Sequence, residues 1–136
     1  MGSRSKSRKR ALDILFESEM QGLSAGATLD TRTSEDQPVG EYTSRLGEGV
    51  RDHQAEIDEL IAAHSTSWTL DRMPAVDRNA LRIGVFELIF GGEVPEGVAI
   101  SEAMNLVRDL STDESPAFVN GVLGAILRGR AVVDHS

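Results

Sequence analysis

Two groups of residues in this chain have the types and spacing to do chemistry on a ligand. The first is Arg4, Lys6, Arg8, Lys9 and Arg10, five cations within ten positions and no acid among them. Such a cluster can hold phosphates by charge and by the forked donors of arginine. A helix does not gain from cations at its N-terminal end, so helix stability does not explain them. Two readings stand: a solvated basic tail, or a contact with nucleic acid. The second group is Asp113, Glu114, Ser115, Pro116 and Phe118. Ser115 can cap a helix, Pro116 suits its first position, and the two acids complement the dipole. Phe118 then either stacks on a base or anchors the core. Other chemistry is missing from the pattern. There is no cysteine, no nucleophile beside a base, no glycine-rich phosphate loop and no cluster of metal ligands. His53 and His64 have no second ligand at metal-like spacing and read as cap or surface residues. The expectation is a non-enzyme with no metal and no cofactor.

The elements that must position these groups are helical throughout. Ala11, Leu12, Leu15, Phe16 and Met20 form a stripe over 6–21, closed by Gly22 and Leu23. Residues 24–40 are rich in Ser, Thr, Gly and Asp and read as a connection with at most one helical turn. Tyr42, Leu46, Val50, Ile57, Leu60 and Ile61 keep helical spacing, with a break expected at Asp52 and His53. Trp68 should pin the next connection to the core. From Val76 to Phe90 the chain is apolar nearly all round, which marks a central helix. Arg82 and Glu87 interrupt it and must be paired if they lie in a core. After Gly91 and Gly92, Pro95 should stay extended and Ser101 should cap a helix running to Leu110. The last helix carries Val119, Val122, Leu123, Ile126 and Leu127, and Gly121 and Gly124 suggest a close helix crossing. With no alternating strand pattern, the fold class is all-α, a compact bundle of about seven helices. The 136 residues make one domain, 1–136, with a basic head (1–10) and a frayed tail (128–136).

Net charge sharpens the picture. The 126 residues after the head hold 9 basic and 22 acidic side chains. A cationic pole on an acidic body suits two partners of opposite kind, one polyanionic and one basic. No apolar run approaches the ~18 residues of a membrane span, and no signal segment opens the chain, so a soluble cytoplasmic protein with no membrane partner is expected.

Three segments, in order, carry a family resemblance. They are Arg8-Lys9-Arg10-Ala11-Leu12-Asp13-Ile14-Leu15-Phe16, then Val76-Asp77-Arg78-Asn79-Ala80-Leu81-Arg82-Ile83-Gly84-Val85-Phe86-Glu87-Leu88, then Val94-Pro95 through Ile100-Ser101-Glu102-Ala103 to Phe118-Val119-Asn120-Gly121-Val122-Leu123. Together they resemble the bacterial transcription antitermination factors of the NusB family, from about Arg4 to Leu127. The resemblance implies two packed helical sub-bundles and no catalysis. It implies binding of boxA-type single-stranded RNA in nascent transcripts together with NusE, a small-subunit ribosomal protein, and read-through of ribosomal RNA operons with RNA polymerase and other Nus factors. By the same resemblance the RNA-binding residues are Arg4, Lys6, Arg8, Lys9, Arg10, Glu114 and Phe118. The NusE-facing residues are Phe16, where Tyr is common, and Asp71 and Asp77, where Glu is common. The family resembles both monomers and homodimers, and a homodimer covering the head would mask the RNA site. The alternative is an RNA-binding module related to the N-terminal domain of ribosomal RNA cytosine methyltransferases.

Overall fold

The structure is a computed structural model that describes residues 3–23 and 40–135, with side chains considered up to Gly129. All regular structure among the described residues is helical: α1 (Ser3–Met20), α2 (Glu41–Asp52), α3 (Gln54–His64), α4 (Ala75–Val85), α5 (Glu96–Leu110) and α6 (Ser115–His135). A π-helical segment, Phe86–Gly91, continues α4. These are six α-helices where about seven were expected, and the turn considered within 24–40 lies largely outside the described residues.

The core forms where the sequence stripes meet. Ala11, Leu12 and Leu15 of α1 pack with Leu46 and Val50 of α2, Ile57 and Ile61 of α3, and Val119, Leu123 and Ile126 of α6 around α4. On α4 every residue from Asn79 to Val85 is buried. Its Gly84 marks the tightest approach to α5 and α6, since an added Cβ would stand 2.8 Å from Leu123 Cδ1 and 3.3 Å from Ala103 Cβ. Another close approach is at Gly49 of α2, whose missing side chain makes room for the Phe86 ring. Gly121 does not serve this purpose: it is exposed, and a Cβ there would meet nothing within 4 Å. At Gly124 only Arg128 Nη1 of the same helix is near. The crossing expected at Gly121 and Gly124 is therefore not made there, while glycine spacing does admit a close neighbour at Gly84 and at Gly49.

Helix ends follow local rules with two corrections. Gly22 (φ 71°) ends α1, and the Leu23 amide donates to Ser18 O at 2.8 Å, closing the turn as a left-handed glycine cap does. The break between α2 and α3 falls at His53, as expected. However, α5 begins at Glu96 behind an extended Pro95, so Ser101 is an exposed residue inside the helix and caps nothing. Proline fixes its own φ and suits the boundary, which lets the helix start a turn and a half earlier than the serine suggested. Ser115 also turns away from its own helix: its Oγ accepts from the Thr112 amide at 3.2 Å and donates to Ser111 Oγ at 3.1 Å. At the other end, α6 is assigned to His135.

Candidate nucleic-acid interface

The basic head is the first turns of α1, and what holds it is a buried carboxylate on the central segment. Arg8 is only 3% exposed and forms a forked pair with Glu87, Nε to Oε1 at 2.8 Å and Nη2 to Oε2 at 2.9 Å. The Tyr42 hydroxyl donates to Glu87 Oε2 as well, and Arg8 Nη1 lies 3.3 Å from Glu102 Oε1. Burial works against the Arg8 charge, but the hydrogen bonds and charge of Glu87 outweigh it and raise the guanidinium pKa. Burial and then the Glu87 hydrogen bond push Tyr42 up to about 12, with Arg8 and Arg4 opposing. Further contacts fasten the same turn. Ser5 donates to Glu102 at 2.7 Å, Thr43 donates to Ser7 O at 3.1 Å, and Arg4 lies 4.4 Å from the centre of the Tyr42 ring while pairing with Glu93.

This geometry sorts the five cations. Arg8 is a core residue with both faces of its fork occupied, so the structure removes it from the side chains open to a phosphate. The sequence could not show this, because its partner lies 79 residues away. Arg4 is exposed and already shares Glu93 with Arg45. Lys6 and Lys9 are exposed, and Arg10 is half-buried with its Nε lacking a hydrogen-bond partner.

At the start of α6, Glu114 is exposed and Phe118 is half-buried, its ring edge-on to Trp68 with centroids 4.8 Å apart. Neither makes a hydrogen bond, ion pair or ring contact with the head among the described residues. The ring thus serves as a core anchor through Trp68 while keeping part of its surface open. Of the residues matched to a protein partner, Phe16 is 37% exposed on α1, beside the exposed Met20 and Leu23. Asp71 is exposed, accepts from Thr69 Oγ1 at 2.7 Å, and borders a hollow of about 450 Å³ with Leu15, Glu19 and Arg78. Asp77 is fully buried and accepts from Ser111 Oγ at 2.5 Å, which ties it to the turn before α6.

Tyr42, Glu102, Glu19 and Asp58 are site-building residues that sequence reasoning missed. Glu19 pairs with Arg78 and Arg82, and Asp58 holds Arg82 at 2.8 and 3.0 Å, which satisfies the charge expected to need a partner in α4. Burial and then the nearby Arg82 charge lower the Arg78 pKa. Among the described residues no group of three or more His, Asp or Glu could hold a metal ion, and no helix is long and apolar enough to cross a membrane.

An all-helical interaction protein, with an anchored cationic helix end on an acidic body, is the class these features define. The sequence profile of the NusB family matches residues 5–128. A transcription antitermination protein NusB from Nocardioides sp. is 58% identical over 131 residues, which cover 96% of this chain and 97% of that relative. Among solved structures, T. maritima NusB superposes with a TM-score of 0.82 at 30% identity, covering 93% of this chain and 92% of the other. A structure described as antitermination factors NusB and NusE in complex with double-stranded RNA superposes at 0.76 with 31% identity, covering 93% and 96%. The chain belongs to the NusB family.

Proposed function

We propose that this chain is a transcription antitermination factor that binds boxA-type single-stranded RNA of nascent transcripts together with NusE. It thereby favours read-through of ribosomal RNA operons, in company with RNA polymerase and other Nus factors in the cytoplasm. The observation that carries the reading is the anchored head: α1 is locked by Arg8 to Glu87, which leaves Lys6 and Lys9 outward on a rigid turn. Lys6, Lys9, Arg10 and Arg4 supply charge to phosphates, and Glu114 and the open edge of Phe118 supply the second contact. Phe16 and Asp71 face NusE. The charge balance supports the pairing, because an acidic body suits a basic ribosomal protein. The chain acts as one domain without catalysis and without a cofactor. Its helices group into two packed sub-bundles. The methyltransferase-module alternative is not favoured, since the relatives named above are antitermination proteins along almost their whole length. The test is binding of labelled boxA RNA with and without NusE across a salt series. Affinity should fall with salt and rise on adding NusE, and an RNA affinity unchanged by NusE would sink the proposal.

A further inference from the structure

An arrangement that reaches beyond the contacts proposed above lies on the flank of the head that meets α2. Two guanidinium groups converge there on one carboxylate: Arg4 Nη2 lies 3.3 Å from Glu93 Oε2, and Arg45 Nη1 lies 2.9 Å from Glu93 Oε1. The three side chains are 42–49% exposed, so the cluster is open to a large ligand. Each arginine also has a second contact that does not involve the acid. Arg45 Nη2 donates to Gly91 O at 2.8 Å, and Arg4 sits over the Tyr42 ring, 4.4 Å from its centre. Tyr42 is fixed in turn by its hydrogen bond to the buried Glu87. Glu93 stands in the short connection between the π-helical segment and α5, directly after Gly92 in the left-handed conformation (φ 71°). Removing its carboxylate therefore leaves both guanidinium groups held near the same point. Two cationic forks on one point are the donors that a phosphodiester accepts from. Ion pairs this exposed are weak in water, so a polyanion that brings several phosphates to the head at once can displace a single carboxylate.

We infer that Arg4 and Arg45 form a phosphodiester site on this flank, and that Glu93 occupies it in the free protein and is displaced when RNA binds; the inference rests on the RNA-binding reading above. Arg45 then extends the RNA surface from α1 onto α2, and Glu93 lowers the affinity for RNA. A carboxylate that merely braced the head would do the reverse, because its loss would loosen the head and weaken RNA. Glu93→Gln and Arg45→Gln replace surface side chains, and circular dichroism checks that both keep the fold. Binding of labelled boxA RNA is titrated in phosphate-free buffer across a salt series, with NusE present. Glu93→Gln should bind roughly two- to ten-fold more tightly than the wild type, the scale set by two half-exposed ion pairs. Arg45→Gln should bind more weakly and flatten the salt slope by about 0.7, the share of one phosphate on a single strand. The gain from Glu93→Gln should shrink in the double variant, where Arg4 alone is released. Glu59→Gln removes the same charge from the exposed side of α3 and should leave RNA affinity nearly unchanged. A Glu93→Gln chain that binds RNA as the wild type does, or less tightly, would overturn the inference. So would a gain matched by Glu59→Gln, or an Arg45→Gln chain with unchanged affinity and slope. A fall in NusE affinity with RNA affinity intact would make the cluster a protein contact and also overturn it. A wild type that binds no boxA RNA with or without NusE would instead remove the RNA reading, and this site with it.

Discussion

Arg8 and Glu87 decide at the residue scale which cations of the head remain free. A buried charge is tolerated only when its partners are complete, and here Glu87 receives the Arg8 fork and the Tyr42 hydroxyl together. From sequence, Glu87 was legible as a charge needing a partner, because the residues around it are apolar on all sides. The partner was not legible, since Arg8 looks like any other member of a basic run. The arrangement has a spectroscopic consequence. Tyr42 is the only tyrosine in the chain, so its ultraviolet phenolate signal reports this contact alone. Its pKa is pushed up to about 12 from the usual 10. Over that window the folded chain keeps a proton that the unfolded chain has released, so stability should decline as pH rises from 10 towards 12. Absorbance titration of the folded protein should show the phenolate appearing near 12. In Glu87→Gln the midpoint should move towards 10 but not reach it, because burial, the larger cause, remains. A midpoint near 10 in the folded wild type would mean that the hydroxyl and the carboxylate do not meet in solution.

Helices and their crossings are the next scale, and here the sequence was informative about spans and less so about contacts. Apolar spacing located α1, the broken pair α2 and α3, and the central α4, because burial of one stripe or of all faces leaves a periodic mark. The π-helical turn at Phe86–Gly91 left no such mark, since the residues of a π turn are as apolar as those of the helix before it. Glycine was also ambiguous: a helical glycine signals either a close crossing or an unconstrained surface position, and only the neighbours distinguish them. Gly49 and Gly121 therefore make opposite predictions. In Gly49→Ala the new methyl group would overlap the Phe86 ring, which is itself buried, so a loss of about 1–3 kcal/mol is expected from overpacking. In Gly121→Ala the methyl group enters open space on a helix, and a gain of about 0.4–1 kcal/mol is expected from the lower entropy of the unfolded chain. Chemical denaturation of the two variants checks both signs, and a destabilised Gly121→Ala would contradict the exposed position of that residue.

Across the whole molecule, the residues proposed for RNA and for NusE lie on different parts of one bundle. Lys6 and Lys9 project from the start of α1, whereas Phe16 is two turns further along the same helix and Asp71 lies in the connection before α4. The buried ties link these regions through the core: Arg8 joins α1 to Glu87, Glu19 joins α1 to Arg78 and Arg82, and Asp77 joins α4 to Ser111. Ligands that share such a frame can influence one another only by a coupling free energy, and that energy is the same from either side. If NusE raises the affinity for boxA RNA by a given factor, then boxA RNA must raise the affinity for NusE by that factor. A coupling of about 1–3 kcal/mol corresponds to roughly 5–150-fold. Both legs can be measured by titration, one with labelled RNA at saturating NusE and the other with labelled NusE at saturating RNA. Equal factors would show that the three components alone close the cycle. Unequal factors would require a further linked equilibrium, and a homodimer that hides the head is the candidate. In that case the two factors should converge as the concentration of this chain is lowered, because dilution removes the dimer while leaving the ternary contacts unchanged.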